Sequence, residues 1–135
     1  MKDGVQQIIE EFEATVAAHD DLTDKMRAAI ETHIVHYAHR RFLAYTSSVE
    51  IRSLTSDYRK EILGLRDQYE SMWLDLLDQG IVAGVFPECD RRVAVYNILS
   101  IGAGVARWFQ PSGRLSPEQV GSETADLIMN GLLTR

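Results

Sequence analysis

Three histidines recur at every third position of the chain, at His33, His36 and His39. Imidazole is a common metal ligand and general base, so this spacing is a candidate for chemistry. Each step of three residues turns an α-helix face by about 60°, so the three side chains cannot converge on one ion. The sequence also lacks the Glu-x-x-His pair of a di-iron bundle. We predict no metal site; a small helical metal protein or enzyme using His33 and His36 is an alternative interpretation.

Other reactive residue types lack the partners that their chemistry would need. Cys89 is the single cysteine, which excludes an intramolecular disulfide and is typical of a reducing compartment. Gly102-x-Gly104 lacks the third glycine of a dinucleotide-binding turn and does not follow a predicted strand. Ser112 and Ser116 lie outside any Gly-x-Ser-x-Gly sequence. We therefore predict that the chain is not an enzyme and has no cofactor.

Aromatic residues concentrate in the middle of the chain and next to a small set of polar ones. Pockets between helices are largely apolar with a few polar groups, and this composition predicts an apolar ligand cavity. Each aromatic taken alone is more typical of an ordinary core, and only the set as a whole favours a cavity. The predicted ligand-binding residues are Phe42, Tyr45, Tyr69, Trp73, Asn97, Arg107 and Trp108.

Composition limits the class of protein. The chain has 135 residues, which suits a single domain over 1–135, and 45% of them are hydrophobic. Fourteen basic residues against twenty acidic ones give a net charge of -6. A DNA-binding surface needs clustered Lys and Arg, so direct DNA binding by this chain is not expected. The N-terminus lacks an apolar signal segment, and we predict a cytoplasmic location without a membrane partner.

The elements that must position these residues are helices. Apolar residues recur at intervals of three and four, which predicts an all-α fold of five to six helices. Ser116 and Gln119 form a capping box around Pro117, the sharpest predicted boundary in the chain. The predicted helices span residues 4–19, 23–45, 55–82, 90–109 and 117 onwards, with 49–54 as a further short helix.

The segment from Val93 to Phe109 is apolar on every side, apart from Asn97, Ser100 and Arg107. A helix of this kind must be buried on most sides, yet it is too short to span a bilayer. We therefore predict that one side packs on the domain and the other on a second copy of the chain, giving a two-fold four-helix bundle with the last helix. A monomer that buries the helix centrally is the alternative. The predicted interface residues are Tyr96, Gly102, Ala103, Ala106, Leu127, Ile128 and Leu132.

Two stretches of sequence resemble a known family. Residues 79–86 read Gln-Gly-Ile-Val-Ala-Gly-Val-Phe, and residues 107–118 read Arg-Trp-Phe-Gln-Pro-Ser-Gly-Arg-Leu-Ser-Pro-Glu. Both resemble the C-terminal half of TetR/AcrR-family transcriptional regulators, and the branch that represses steroid and lipid catabolism most of all. The match is close over residues 80–133 and looser before them.

The resemblance implies a ligand-sensing domain that forms a homodimer through its last two helices. An apolar effector, such as an acyl-CoA thioester, would bind among the middle helices and control a DNA-binding head. Residues 1–20 resemble the connecting helix that follows this head, and the helix-turn-helix sequence itself is not in the chain. We therefore expect DNA to be reached only through a head outside this sequence. A headless family member that forms mixed dimers with full-length regulators is the alternative.

Overall fold

The computed structural model describes residues 2–39 and 56–133, with side chains from Gly4 and up to Leu132. In these two ranges the chain forms five helices and no strand, which confirms the all-α prediction. The part of the predicted second helix beyond His39, the short helix at 49–54 and the ligand candidates Phe42 and Tyr45 lie outside the described residues. The helices are α1 (Lys2–Ala17), α2 (Leu22–His39), α3 (Ser56–Val82), α4 (Arg91–Trp108) and α5 (Pro117–Leu133).

Helix α2 is the centre of the fold and packs against all four other helices. Helices α1 and α3 also pack on each other, and α3 packs on α4. The core lies where these helices meet. Its fully buried side chains are Met26, Ile30, His33, Ile34, Ile62, Trp73, Leu77, Val95 and Val105.

The last two helices begin at the residues that their sequences predict. Asp90 caps α4, since its Oδ1 accepts a hydrogen bond from the backbone N–H of Val93 at 3.0 Å. The predicted capping box of α5 is confirmed, because the Gln119 N–H donates to Ser116 Oγ at 3.1 Å and the Ser116 N–H donates to Gln119 Oε1 at 2.8 Å. Each such cap is worth about 1 kcal/mol.

Helix α3 ends in a turn that needs glycine at two positions, Gly80 and Gly84. Gly84 has a φ of 76°, a left-handed conformation that glycine adopts without steric cost. The N–H of Val85 donates to the carbonyl of Gly80 at 2.8 Å, and the N–H of Gly84 donates to the carbonyl of Ile81 at 3.0 Å. These two hydrogen bonds together form a Schellman cap. The buried Phe86 ring then folds back onto Gly80, where an added Cβ would overlap it.

Polar contacts join α2 to α1 and to α5. The Lys25 ammonium donates to the carbonyl of Val16 near the end of α1 at 2.7 Å. On the other side, the Arg27 guanidinium reaches Asp126 on α5 at 2.7 Å and Glu31 on its own helix at 2.9 Å. Since these ion pairs are partly exposed, they orient the helices more than they stabilise them. None of the described helices combines the length and apolarity needed to cross a bilayer.

Candidate ligand site and dimer face

Five aromatic rings from three helices meet in the core. Phe12 on α1 lies with its centroid 5.0 Å from Trp73 and 5.7 Å from Tyr69, both on α3. His33 on α2 lies 5.7 Å from each of these two α3 rings, and Tyr37 lies 4.8 Å from His33. We call these five residues the aromatic cluster. Edge and tilted packing of this kind adds to the stabilisation that burial gives.

His33 is the polar centre of the aromatic cluster. Its Nδ1 lies 2.7 Å from the Tyr69 hydroxyl and its Nε2 lies 3.5 Å from the Leu99 carbonyl on α4. A carbonyl can only accept, so we assign the ring proton to Nε2 and infer that the Tyr69 hydroxyl donates to Nδ1. The histidine therefore bridges α3 and α4 from its place on α2.

Burial keeps the polar groups of the cluster uncharged. Desolvation lowers the pKa of His33 to about 3, so the imidazole is neutral at pH 7. Burial also raises the pKa of Tyr37, and raises that of Tyr69 well above its ordinary value. A neutral, largely apolar site of this kind suits an apolar ligand better than an ion.

One hydrogen-bond donor in the aromatic cluster has no acceptor. Among the side chains that the structure describes, the Trp73 Nε1 is buried and completes no hydrogen bond. The Trp73 indole N–H beside the Tyr69 hydroxyl lowers the pKa of Tyr69, against the larger effect of burial. An unpaired buried donor costs about 1–3 kcal/mol, which a ligand acceptor such as a carbonyl oxygen would recover.

Gly102 on α4 leaves the space that the His33 ring occupies. A Cβ added at Gly102 would overlap His33 Nε2 and would lie 2.7 Å from its Cδ2 and 3.0 Å from Tyr37 Cδ2. Gly102 is itself buried. The glycine is therefore a packing residue inside the protomer.

The structure brings together only part of the predicted ligand-binding set. Tyr69 and Trp73 lie side by side in the aromatic cluster, with centroids 6.2 Å apart. Asn97, Arg107 and Trp108 lie instead on the exposed side of α4, away from the cluster.

Sequence reasoning missed three members of the cluster. Phe12 and Tyr37 are absent from the predicted ligand-binding set, and the sequence suggests for His33 only a role in metal binding or catalysis. The available signal was that His33 is three residues from Ile30 and four from Tyr37, which places it on the apolar face of α2.

The three histidines diverge, as their spacing predicts. His33 binds Tyr69, whereas His36 Nδ1 lies 2.8 Å from Glu11 Oε1 and His39 Nε2 lies 3.6 Å from Glu118 Oε1. Within residues 2–39 and 56–133, no group of three or more His, Cys, Asp or Glu side chains could hold a metal ion.

A separate open groove of about 910 Å³ runs between α1 and α2. It contains none of the predicted ligand-binding residues, and all but two of its lining residues, Ala14 and Val35, have polar side chains. The groove is lined by Gln7, Glu11, Ala14, Thr15, Glu31, Thr32, Val35, His36 and His39.

The side of α4 that points away from α2, and Leu127 on α5, leave large apolar groups exposed. We call this surface the outer face. The exposed fractions are 55% for Val93, 49% for Tyr96, 58% for Trp108 and 74% for Leu127. Exposed apolar residues in one patch are typical of a protein–protein interface.

Two polar side chains of the outer face, Asn97 and Ser100, form hydrogen bonds with their own helix. The Asn97 amide donates to the Val93 carbonyl at 2.9 Å, and the Ser100 hydroxyl donates to the Tyr96 carbonyl at 2.7 Å. Burial of this face would therefore leave these side chains with a hydrogen-bond partner.

The predicted interface residues divide between the two sides of α4 and α5. Tyr96, Ala103 and Leu127 are exposed, and Ile128 and Leu132 are half-buried against the core. Gly102 and Ala106 are buried inside the protomer, so they do not lie on the outer face.

The comparisons with known proteins agree with this architecture. The family model described as tetracyclin repressor-like, C-terminal domain, matches residues 19–132. The chain belongs to this family. The HTH-type transcriptional repressor KstR2 of Mycobacterium tuberculosis is 33% identical over 101 residues, which cover 73% of this chain and 49% of the repressor. The chain therefore spans about half the length of this family relative.

Solved structures of the family share the fold. The ketosteroid transcriptional regulator KstR2 of M. tuberculosis matches with a TM-score of 0.87 at 22% identity, covering 98% of this chain and 68% of that one. The transcriptional regulator FadR from Bacillus subtilis, solved in complex with stearoyl-CoA, matches with a TM-score of 0.74 at 22% identity and covers 97% and 72% of the two chains.

Proposed function

We propose that the chain is the ligand-sensing and dimerisation domain of a TetR-family transcriptional repressor. The observation that carries this proposal is the aromatic cluster, which is buried, uncharged and equipped with one unpaired donor, Trp73 Nε1. Family membership supports the proposal, because the relatives are transcriptional repressors.

The proposed effector is an apolar molecule that carries a carbonyl oxygen, with an acyl-CoA thioester as the leading candidate. The aromatic rings of Phe12, Tyr69 and Trp73 would pack on its hydrocarbon part, and the indole N–H would donate to its carbonyl. The names of similar proteins support this class, since one is a ketosteroid regulator and another binds stearoyl-CoA.

The proposed dimer forms through the outer face, with α4 and α5 of two copies in a four-helix bundle. Val93, Tyr96, Trp108 and Leu127 would be buried against the partner. Aromatic side chains contribute strongly to binding energy at the centre of interfaces, and the Asn97 and Ser100 side chains need no new partner. Any contact with DNA is proposed to come from a segment outside this chain.

The two parts of the proposal are tested with one pair of tryptophan variants. Trp73→Phe keeps a ring but removes the indole N–H, so the calorimetric affinity for stearoyl-CoA or a polycyclic acyl-CoA should fall about fivefold, as for the loss of one hydrogen bond. Trp108→Ala should leave this affinity within about twofold and should weaken the dimer. If neither acyl-CoA binds the wild-type chain, or if Trp73→Phe binds as tightly as wild type, the proposed ligand site is wrong.

A further inference from the structure

We infer that His33 is a positioning residue that couples the aromatic cluster to helix α4, so that the arrangement of the cluster changes when the outer face is occupied. The inference deepens the proposed function and rests on it. Its basis is that one buried ring contacts a cluster residue through one edge and α4 through the other.

The contact with the cluster is both polar and steric. His33 Nδ1 accepts from the Tyr69 hydroxyl at 2.7 Å, and the two rings stack with an interplanar angle of 26°. The His33 ring also meets Trp73 edge-on at 81°. A ligand that displaces Tyr69 or Trp73 must therefore move the imidazole or break its hydrogen bond.

The contact with α4 leaves the imidazole no free space. The ring lies where a side chain at Gly102 would be, and its Nε2 faces the Leu99 carbonyl at 3.5 Å. Packed interiors transmit displacements of this size because they contain few voids. A shift of His33 towards α4 must consequently move α4 itself.

At one level of α4, one side of the helix contacts the imidazole and the opposite side belongs to the outer face. Gly102 and Leu99 face the imidazole, while the adjacent residues Ser100 and Ala103 are exposed on the outer face. A movement of α4 caused by His33 would therefore also move Ser100 and Ala103 in the proposed dimer contact. By linkage, binding of a partner copy must bias the aromatic cluster in return.

The chain provides a reporter on each side of this link. Its two tryptophans are Trp73 in the cluster and Trp108 on the outer face. In fluorotryptophan-labelled protein, fluorine NMR gives each residue its own signal, assigned with Trp108→Phe. Leu127→Lys places a charge on the outer face and supplies the monomeric reference.

The experiment compares the two fluorine signals between dimer and monomer in four proteins: wild type, His33→Phe, Gly102→Ala and Gly104→Ala. His33→Phe keeps a ring but removes both polar contacts. Gly104→Ala is the matched control on the same helix, because an added Cβ there meets nothing closer than Trp108 Nε1 at 3.9 Å. Circular dichroism and sedimentation accompany each sample to establish folding and oligomeric state.

In wild type and Gly104→Ala, we expect both signals to differ between dimer and monomer. In His33→Phe and Gly102→Ala, the Trp108 difference should remain, while the Trp73 difference should fall to less than about one third of its wild-type size. If Gly102→Ala does not fold, His33→Phe alone decides the outcome.

Two results would overturn the inference, and they are distinguishable. If the wild-type Trp108 signal reports a dimer but Trp73 does not respond, or if Trp73 responds equally in His33→Phe, the coupling through His33 is wrong and the proposed function stands. If sedimentation shows that wild type is monomeric, the proposed dimer and the coupling both fail.

Discussion

The imidazole of His33 on α2 fills the space beside Gly102 on α4, where an added Cβ would overlap Nε2 and lie 2.7 Å from Cδ2. The two positions are 69 residues apart in the sequence, yet the residue type at each one limits the size of the side chain at the other. The buried His33 ring needs a residue without a Cβ opposite it. Gly102 is tolerated in the middle of α4 because the ring fills the space that a side chain would occupy.

Gly102→Ala should lower the free energy of unfolding by about 1–3 kcal/mol, because overpacking against His33 exceeds the roughly 1 kcal/mol that alanine gains in helix propensity. Gly104→Ala should raise stability by up to about 1 kcal/mol, since the added methyl makes only an ordinary contact with Trp108 Nε1 at 3.9 Å. Urea unfolding of the two variants beside wild type measures both values. Equal effects at the two positions would show that His33 does not occupy the Gly102 space.

Stability should depend on pH through His33. Its pKa is lowered to about 3 in the folded chain from an ordinary value of 6.5, so the unfolded chain binds more protons between these values. The contribution is fully present above about pH 6.5 and is lost as the pH falls, by up to about 1.4 kcal/mol per pH unit.

The matching measurement compares wild type with His33→Phe by urea unfolding between pH 7 and pH 4. His19, His36 and His39 are present in both proteins, so the difference in slope isolates His33. The variant should lose stability less steeply than wild type on acidification. Identical slopes would mean that the pKa of His33 is the same in the folded and unfolded chains.

The chain alone should not bind DNA. Its net charge of -6 opposes association with phosphate, and it has three lysines among its fourteen basic residues. A gel shift at low salt with operator fragments of TetR-family repressors should show no complex. A salt-sensitive complex formed by this chain without any added segment would contradict the proposed division of roles.

Much of the fold could be predicted from local sequence, because helix boundaries depend on neighbouring residues. Asp90 and the Ser116–Gln119 capping box act over three residues, and both make the predicted hydrogen bonds. The pairing of Gly80 with Phe86 is also local, because the two residues are only six positions apart.

The candidate site was harder to predict, because it depends on contacts between distant helices. Val93–Phe109 is apolar on every side, so its sequence does not show which side meets α2. Arg107 and Trp108 were therefore assigned to the ligand set although they lie on the exposed side. The spacing of His33 places it on the apolar face of α2, but its contacts with Tyr69 and Gly102 depend on two other helices.

Analytical ultracentrifugation of the wild-type chain beside Leu127→Lys tests the central claim most directly. Leu127 is 74% exposed in the protomer, so the lysine is compatible with the folded single chain and disfavours only a buried interface. The account predicts a wild-type dimer and a dissociation constant at least about tenfold weaker in the variant, equivalent to about 1.4 kcal/mol or more. A compact, folded wild-type monomer at high concentration, sedimenting like the variant, would contradict it.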